Sequence, residues 1–259
     1  MVGKVAVPVA GLRYVELDAG FGCYMPESGD TTEIKFIYSE IFRGNCYLRG
    51  GLALHDDAVV VDVGANVGLF TLYVKQRWPR ARVVAIEPMP RTYEALLANL
   101  DRHGATGVTP LRRALGARAE PDVAFTYFLD LPGNSTRYPE QKARIGELAG
   151  TPEERAHRRR LLADRYEVRM PVERLSDVLA EVGPSGPIDL VKIDIEGSEA
   201  DALAGIDDHD WARIRQVVLE VQDFAGAPAV LAERGFTVTS EQPGDVLGDL
   251  GTQTVYARR

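Results

Sequence analysis

The chain has 259 residues, 45% hydrophobic and 26% charged, which is enough for one large α/β domain with a buried core. Its formal net charge of −8 argues against nucleic acid as the main partner, because phosphate binding needs a basic surface. No apolar run approaches a membrane span, the start lacks a signal-peptide pattern, and two cysteines without metal-ligand spacing fit a reduced cytoplasm.

Residues 1–50 precede the first core strand and carry Phe21, Tyr24, Phe36, Tyr38, Phe42 and Tyr47. Glu33 to Arg43 reads as a helix. The segment is expected either to pack as an aromatic layer or to act as a cap over a site, with the main domain spanning 51–259. Val59 to Val63 is a buried strand that carries Asp62. The small-residue turn Gly64-Ala65-Asn66-Val67-Gly68 follows, and then a helix to about Trp78, stopped by Pro79. Arg82 to Pro88 is a second buried strand, ending at Glu87. Thr92 to His103 is a helix with Tyr93, Leu96, Leu97 and Leu100 on one face and Gly104 as its stop. Val108 to Leu115 is a third strand, with Ala114 near its end. This β-α-β-α-β order implies a parallel, doubly wound sheet.

The order then breaks. Val123 to Phe128 and Tyr166 to Val172 read as strands around a loop at 131–136 and a charged helical stretch at about 140–165. Residues 123–172 are therefore an insertion, a β-arm with a helical cap. Ser176 is expected to cap a short helix ending at Gly183. Ile188 to Ile195 and Gln216 to Val221 are core strands four and five, each followed by a helix. Phe236 to Ser240 and Thr252 to Ala257 lack a helix between them and should pair antiparallel. Seven core strands with a terminal antiparallel hairpin are the Rossmann-like pattern of a class I methyltransferase.

The turn separates two ligands. A dinucleotide turn has glycine where Asn66 stands, so that backbone approaches a pyrophosphate. Asn66 obstructs that approach, which disfavours a nicotinamide oxidoreductase. S-Adenosylmethionine has no phosphate. Its carboxylate suits backbone N–H groups at Gly64, Ala65, Asn66 and Gly68. Its ammonium suits an acid such as Asp62, and its ribose hydroxyls suit Glu87, next to Pro88.

Asp62-Val63-Gly64-Ala65-Asn66-Val67-Gly68, Ile86-Glu87-Pro88 and Lys192-Ile193-Asp194-Ile195-Glu196-Gly197-Ser198-Glu199 together resemble the FkbM-type methyltransferases. Weaker matches are Tyr38-Ser39-Glu40-Ile41-Phe42, Gly205-Ile206-Asp207-Asp208 with Trp211, and Val255-Tyr256-Ala257-Arg258-Arg259. The resemblance implies a class I S-adenosylmethionine fold and O-methylation of a hydroxyl on a natural product. It implies a small-molecule acceptor, free or carrier-bound, with no nucleic-acid or membrane partner, and it leaves a homodimer open. It adds Ala114 to the cofactor set and Tyr38 to the acceptor set, with Asn134 and Ser135 facing acceptor or cofactor. Asp194 is placed to touch the cofactor's methionine end or the acceptor hydroxyl.

Lys192, Asp194 and Glu196 share one phase of the fourth strand, and charges leaving a buried strand are costly unless a ligand or partner meets them. An aliphatic hydroxyl needs a base, and none of His55, His103, His157 and His209 falls at a strand's carboxyl end. The catalytic expectation is therefore Asp194, with Lys192 beside it. Glu220 and Gln222 follow strand five and are expected to face the acceptor. Relatives tend to have histidine where Gln222 stands, and glutamine cannot take a proton near neutral pH. That departure gives some support to a non-catalytic binding module, which the intact Asp62, Asn66, Gly68 and Glu87 oppose; N-methylation of an amine is the alternative among enzymes. Asp194, Glu220 and Gln222 are oxygen-rich enough for magnesium, yet their loose spacing suits structural pairing better, so no metal is expected.

Overall fold

The structure, a computed structural model, describes residues 9–147, 150–221, 226–242 and 251–259. Hairpin β1 (Leu12–Asp18) and β2 (Phe21–Pro26) comes first, then α1 (Thr31–Tyr38), which runs on into a π-helical turn, Ser39–Arg43. The chain continues through β3 (Val59–Val63), α2 (Leu69–Arg77), β4 (Arg82–Ile86), α3 (Pro90–His103), β5 (Val108–Leu111) and β6 (Ala114–Leu115). Next come β7 (Glu120–Phe128), α4 (Pro139–Gly146), α5 (Pro152–Leu161), β8 (Arg165–Glu173) and α6 (Leu175–Val182). The last part is β9 (Leu190–Ile193), α7 (Glu199–Ala204), α8 (Asp208–Trp211), β10 (Gln216–Val221), α9 (Ala227–Glu233), β11 (Thr237–Glu241) and β12 (Gln253–Arg258).

The main sheet has seven strands in the order β11-β12-β10-β9-β3-β4-β5. β12 runs antiparallel to β10 and β11, and the other pairs are parallel. This is the α/β class I fold expected from the strand count. Strand alternation divides the core in two. Val59, Val61 and Val63 face a layer built on α6 to α9, whereas Val60, Val83 and Ala85 face one built on α2, α3 and residues 12–52. The N-terminal segment is thus continuous with the core. Phe21, Tyr38 and Phe42 stack on one another, and Phe42 meets Tyr73 of α2 edge-on at 5.3 Å. Asn99 of α3 holds the hairpin: its side chain bonds both backbone groups of Tyr24, at 2.6 and 2.9 Å, and the carbonyl of Val67 at 2.8 Å.

Three local expectations are corrected. The strand expected over 108–115 is two strands. β5 ends level with β4, where the Glu87 amide donates to the Leu111 carbonyl at 3.0 Å, and β6 joins a separate sheet in the order β6-β8-β7. Ser176 does not cap α6, because Arg174 holds that position; the Ser176 hydroxyl instead accepts from the Asp207 amide at 2.8 Å. The β1–β2 hairpin was not expected at all. Among the described residues, no helix is long and apolar enough to cross a membrane.

Candidate active site

The turn after β3 is shaped by three positive backbone angles. Gly64 has φ +76°, and a Cβ there would lie 1.7 Å from the Asp194 carbonyl oxygen. Only glycine lets the loop after β9 pass so close. Asn66 has φ +50°, a left-handed conformation that asparagine tolerates, and its side-chain oxygen accepts from the Val67 amide at 2.7 Å. Gly68, at φ +91°, starts α2 and leaves room for Leu96.

Glu87 closes this turn from the neighbouring strand. One carboxylate oxygen accepts from the Asn66 amide at 3.0 Å and the other from the Met89 amide at 2.9 Å. Each oxygen keeps a lone pair for a further donor. Burial pushes the Glu87 carboxyl up to about 7, against the pull of those two amides. A cavity of about 650 Å³ opens here, lined by Gly64, Asn66, Glu87, Pro88, Ala114, Ser135 and Asp194 among others. Thr92 and Ser198 are buried and belong to the same wall, and the Ser198 hydroxyl has no hydrogen-bond partner among the described residues.

Beneath the turn lies a buried ion pair. The Lys192 ammonium is 3.2 Å from Asp62 and 3.8 Å from Asp194, and it donates to the Gly64 carbonyl at 2.6 Å. Burial pulls its proton affinity down, but Asp62 and then Asp194 outweigh that and hold it charged. Thr71 donates to the other oxygen of Asp62 at 2.7 Å. The glycine turn therefore rests on a cation.

A second cavity of about 770 Å³ adjoins the first, and the two share Gly64, Asn66, Gly133, Asp194 and Glu196. Its lining mixes apolar residues, Phe36, Ile37, Ile41 and Phe70, with the charged Glu33, Glu40, Glu196, Glu220, Lys142 and Lys192. Lys142 pairs with Glu196. Glu33 accepts from the Asn134 side chain at 2.8 Å, and burial pushes its carboxyl up to about 7. Burial, then the charges of Asp194, Glu196 and Glu40, drive the Glu220 carboxyl well above the usual range. Asp194 stands where the cavities meet. Its Oδ2 accepts from the Tyr47 hydroxyl at 2.7 Å. Glu199 closes the loop after β9 by accepting from the Ile195 and Gly197 amides, at 3.1 and 3.0 Å.

Gly64, Asn66, Glu87, Pro88, Ala114 and Asp194 thus come together around the first cavity, while Ala65, Asn134, Lys192 and Glu220 border the second. Other expected residues lie elsewhere. Asp62 is fully buried under the turn, and neither it nor Gly68 lines either cavity. Ser135 lines the first cavity rather than the second, and its hydroxyl donates to the Pro132 carbonyl at 2.8 Å. Tyr38, expected at the acceptor, lies in the aromatic layer with its hydroxyl 3.4 Å from Asp18. Gln222 lies outside the described residues. Among the described residues no three His, Cys, Asp or Glu are grouped as metal ligands would be. Sequence reasoning missed Glu33 and Tyr47. Glu33, Ile37 and Glu40 recur at helical spacing, a face that could have revealed the first.

The sequence profile of the methyltransferase FkbM domain matches residues 62–245. The chain belongs to the FkbM methyltransferase family. This FkbM methyltransferase is 36% identical over 255 residues to Methyltransferase 1 of Beauveria bassiana (strain ARSEF 2860), covering 97% of this chain and 100% of that one. It is 41% identical over 225 residues to the 31-O-demethyl-FK506 methyltransferase FkbM of Streptomyces tacrolimicus, covering 81% and 84%. A crystal structure of a methyltransferase FkbM from Methylobacillus flagellatus KT has the same fold, with TM-score 0.55 and 18% identity over 85% of this chain. The chain spans 47% of that longer protein. Family and fold together indicate S-adenosylmethionine-dependent methylation and kinship with natural-product enzymes. Glu33, Phe36, Glu40 and Tyr47 all precede the matched residues.

Proposed function

We propose that this enzyme methylates a hydroxyl of a small natural product, with the donor in the first cavity and the acceptor in the second. The observation that carries the reading is Asp194, a carboxylate on the wall common to both cavities. S-Adenosylmethionine supplies an electrophilic methyl when bound. The residues of the first cavity fit it. Glu87 offers two acceptor oxygens for ribose hydroxyls, and the buried Ser198 hydroxyl on the same wall has no partner among the described residues.

The chain's own residues supply the rest. The apolar residues that line the second cavity exclude water and orient the acceptor. Asp194 takes the proton that a hydroxyl must lose, which a neutral amine does not need to do before attack. Lys192 acts from below as a counter-charge, its ammonium 3.8 Å from the Asp194 carboxylate. The acidic side chains Glu33, Glu40, Glu196 and Glu220 support a second reading, a neutral amine acceptor held by hydrogen bonds and N-methylation.

A panel of hydroxylated natural products with matched amino analogues decides between them. It starts with 31-O-demethyl-FK506, the compound in the name of the Streptomyces relative, and is read by S-adenosylhomocysteine release and product mass. Methylation of hydroxyls supports the first reading. Methylation of amines alone overturns it.

A further inference from the structure

The group that touches Asp194 most closely comes from outside the stretch matched by the family profile. Tyr47 is 7% exposed, and its ring meets Phe70 edge-on at 5.2 Å. Both side chains line the second cavity. The Lys192 ammonium lies 5.2 Å from the centre of the same ring. The tyrosine is therefore held on its faces by packing and at its tip by one bond to Asp194 Oδ2.

We infer that Tyr47 is a positioning residue for methyl transfer: its hydroxyl occupies Asp194 Oδ2 and leaves Oδ1 as the oxygen that meets the acceptor. The inference rests on the reading of Asp194 as the proton acceptor.

Three physical points carry it. A phenol has one hydrogen to donate, and a carboxylate only accepts, so the direction of the bond is set. Burial, then the charges of Asp194 and Glu220, keep the phenol protonated, so Tyr47 is a donor and not a base. A carboxylate with one oxygen engaged is fixed in rotation about its last bond, and fixed orientation is what an in-line displacement requires.

The surroundings of Asp194 make this bond matter. Lys192 faces it at 3.8 Å, and its backbone amide is tied to the Val63 carbonyl at 3.1 Å. Glu220, Glu199, Tyr47 itself and the Cys46 thiol all feel its charge, and both glutamates repel it when ionised. Tyr47 and Lys192 are thus the two favourable contacts of the carboxylate's charge. Losing the Tyr47 donor removes the closer of them.

The test is Tyr47→Phe, which keeps the ring and its contact with Phe70. The Asp194 carboxyl is followed by carbon NMR against pH in the protein without ligand, with Asp194→Asn assigning the signal. Its proton affinity is expected to rise about tenfold in Tyr47→Phe, the effect of one hydrogen bond. With a hydroxyl acceptor from the panel, turnover is expected to fall about tenfold or more and its acid limb to move up by the same amount. Affinity for S-adenosylhomocysteine stays within about twofold, because Tyr47 does not line the first cavity.

An unchanged titration overturns the inference. So does a loss of turnover with an unmoved pH profile and a lowered melting temperature, which is the mark of a merely structural tyrosine. If Asp194→Asn keeps full turnover, the reading of Asp194 fails and the inference falls with it. If Asp194→Asn is inactive and Tyr47→Phe behaves as wild type, the inference alone fails.

Discussion

On the proposed reading, Glu87 should make cofactor binding pH-dependent in the physiological range. Its carboxyl is pushed up from an ordinary 4.5 to about 7 by burial, and as an acceptor of ribose hydroxyls it works best ionised. A site that binds only with that group ionised loses about tenfold in affinity for each unit below about 7. Between pH 8 and pH 6 the wild-type affinity for S-adenosylhomocysteine is therefore expected to fall about tenfold. Glu87→Gln cannot ionise, so its affinity should be lower at pH 8 and level with pH. Titration calorimetry at pH 6, 7 and 8 reads both proteins. Glu33 and Glu199 also titrate near 7, so the variant is what assigns the slope to Glu87. A flat wild-type profile, or a slope that survives in Glu87→Gln, refutes the reasoning. Without ligand the sign reverses. Between 4.5 and about 7 the unfolded chain gives up a proton that the folded chain keeps, so stability falls as pH rises through that window and levels off above it.

Asp194→Asn should lower turnover about 100-fold or more while binding S-adenosylhomocysteine within about threefold of wild type; equal turnover removes it as base. Gly64→Ala should abolish S-adenosylhomocysteine binding and lower the melting temperature by about 5 °C or more, since its Cβ would sit 1.7 Å from the Asp194 carbonyl; calorimetry and a thermal melt read both. Asn99→Ala loses three hydrogen bonds to Tyr24 and Val67 and should cost about 3 kcal/mol in urea denaturation. Turnover should survive excess EDTA; a loss restored by magnesium would require a metal site.

The parts of the fold that follow a short period were legible in the sequence. β3 and β4 are short apolar runs bounded by turns, and α3 repeats its buried residues at three and four. The turn was legible too, because asparagine and glycine are the residues that tolerate its left-handed angles. β2 was not, since Phe21-Gly22-Cys23-Tyr24-Met25-Pro26 has no β-branched residue and carries a glycine and a proline, which read as breakers. Tyr38 was misplaced because α1 runs on into a π-helical turn, and the tyrosine falls on the face that packs against Phe21 and Phe42. The split of β5 from β6 depends on where the neighbouring strand ends, a fact about pairing and not about the run itself. Tyr47 and Asp194 are 147 positions apart, and no local pattern reports a contact of that span.

The single amide of Asn99 has a wider meaning. Residues at the ends of β3, β4 and β9 line the first cavity, and six residues of 33–47 line the second. With donor and acceptor seated as proposed, substitution within 33–47 should retune the acceptor without rewriting the methyl donor. Asn99 answers to both, because it stitches the hairpin that leads into the acceptor segment and also holds Val67 of the turn. Grafting the N-terminal segment of a relative onto this sheet would be an exchange of cargo specificity with the engine left in place, provided the graft keeps the backbone that Asn99 grips.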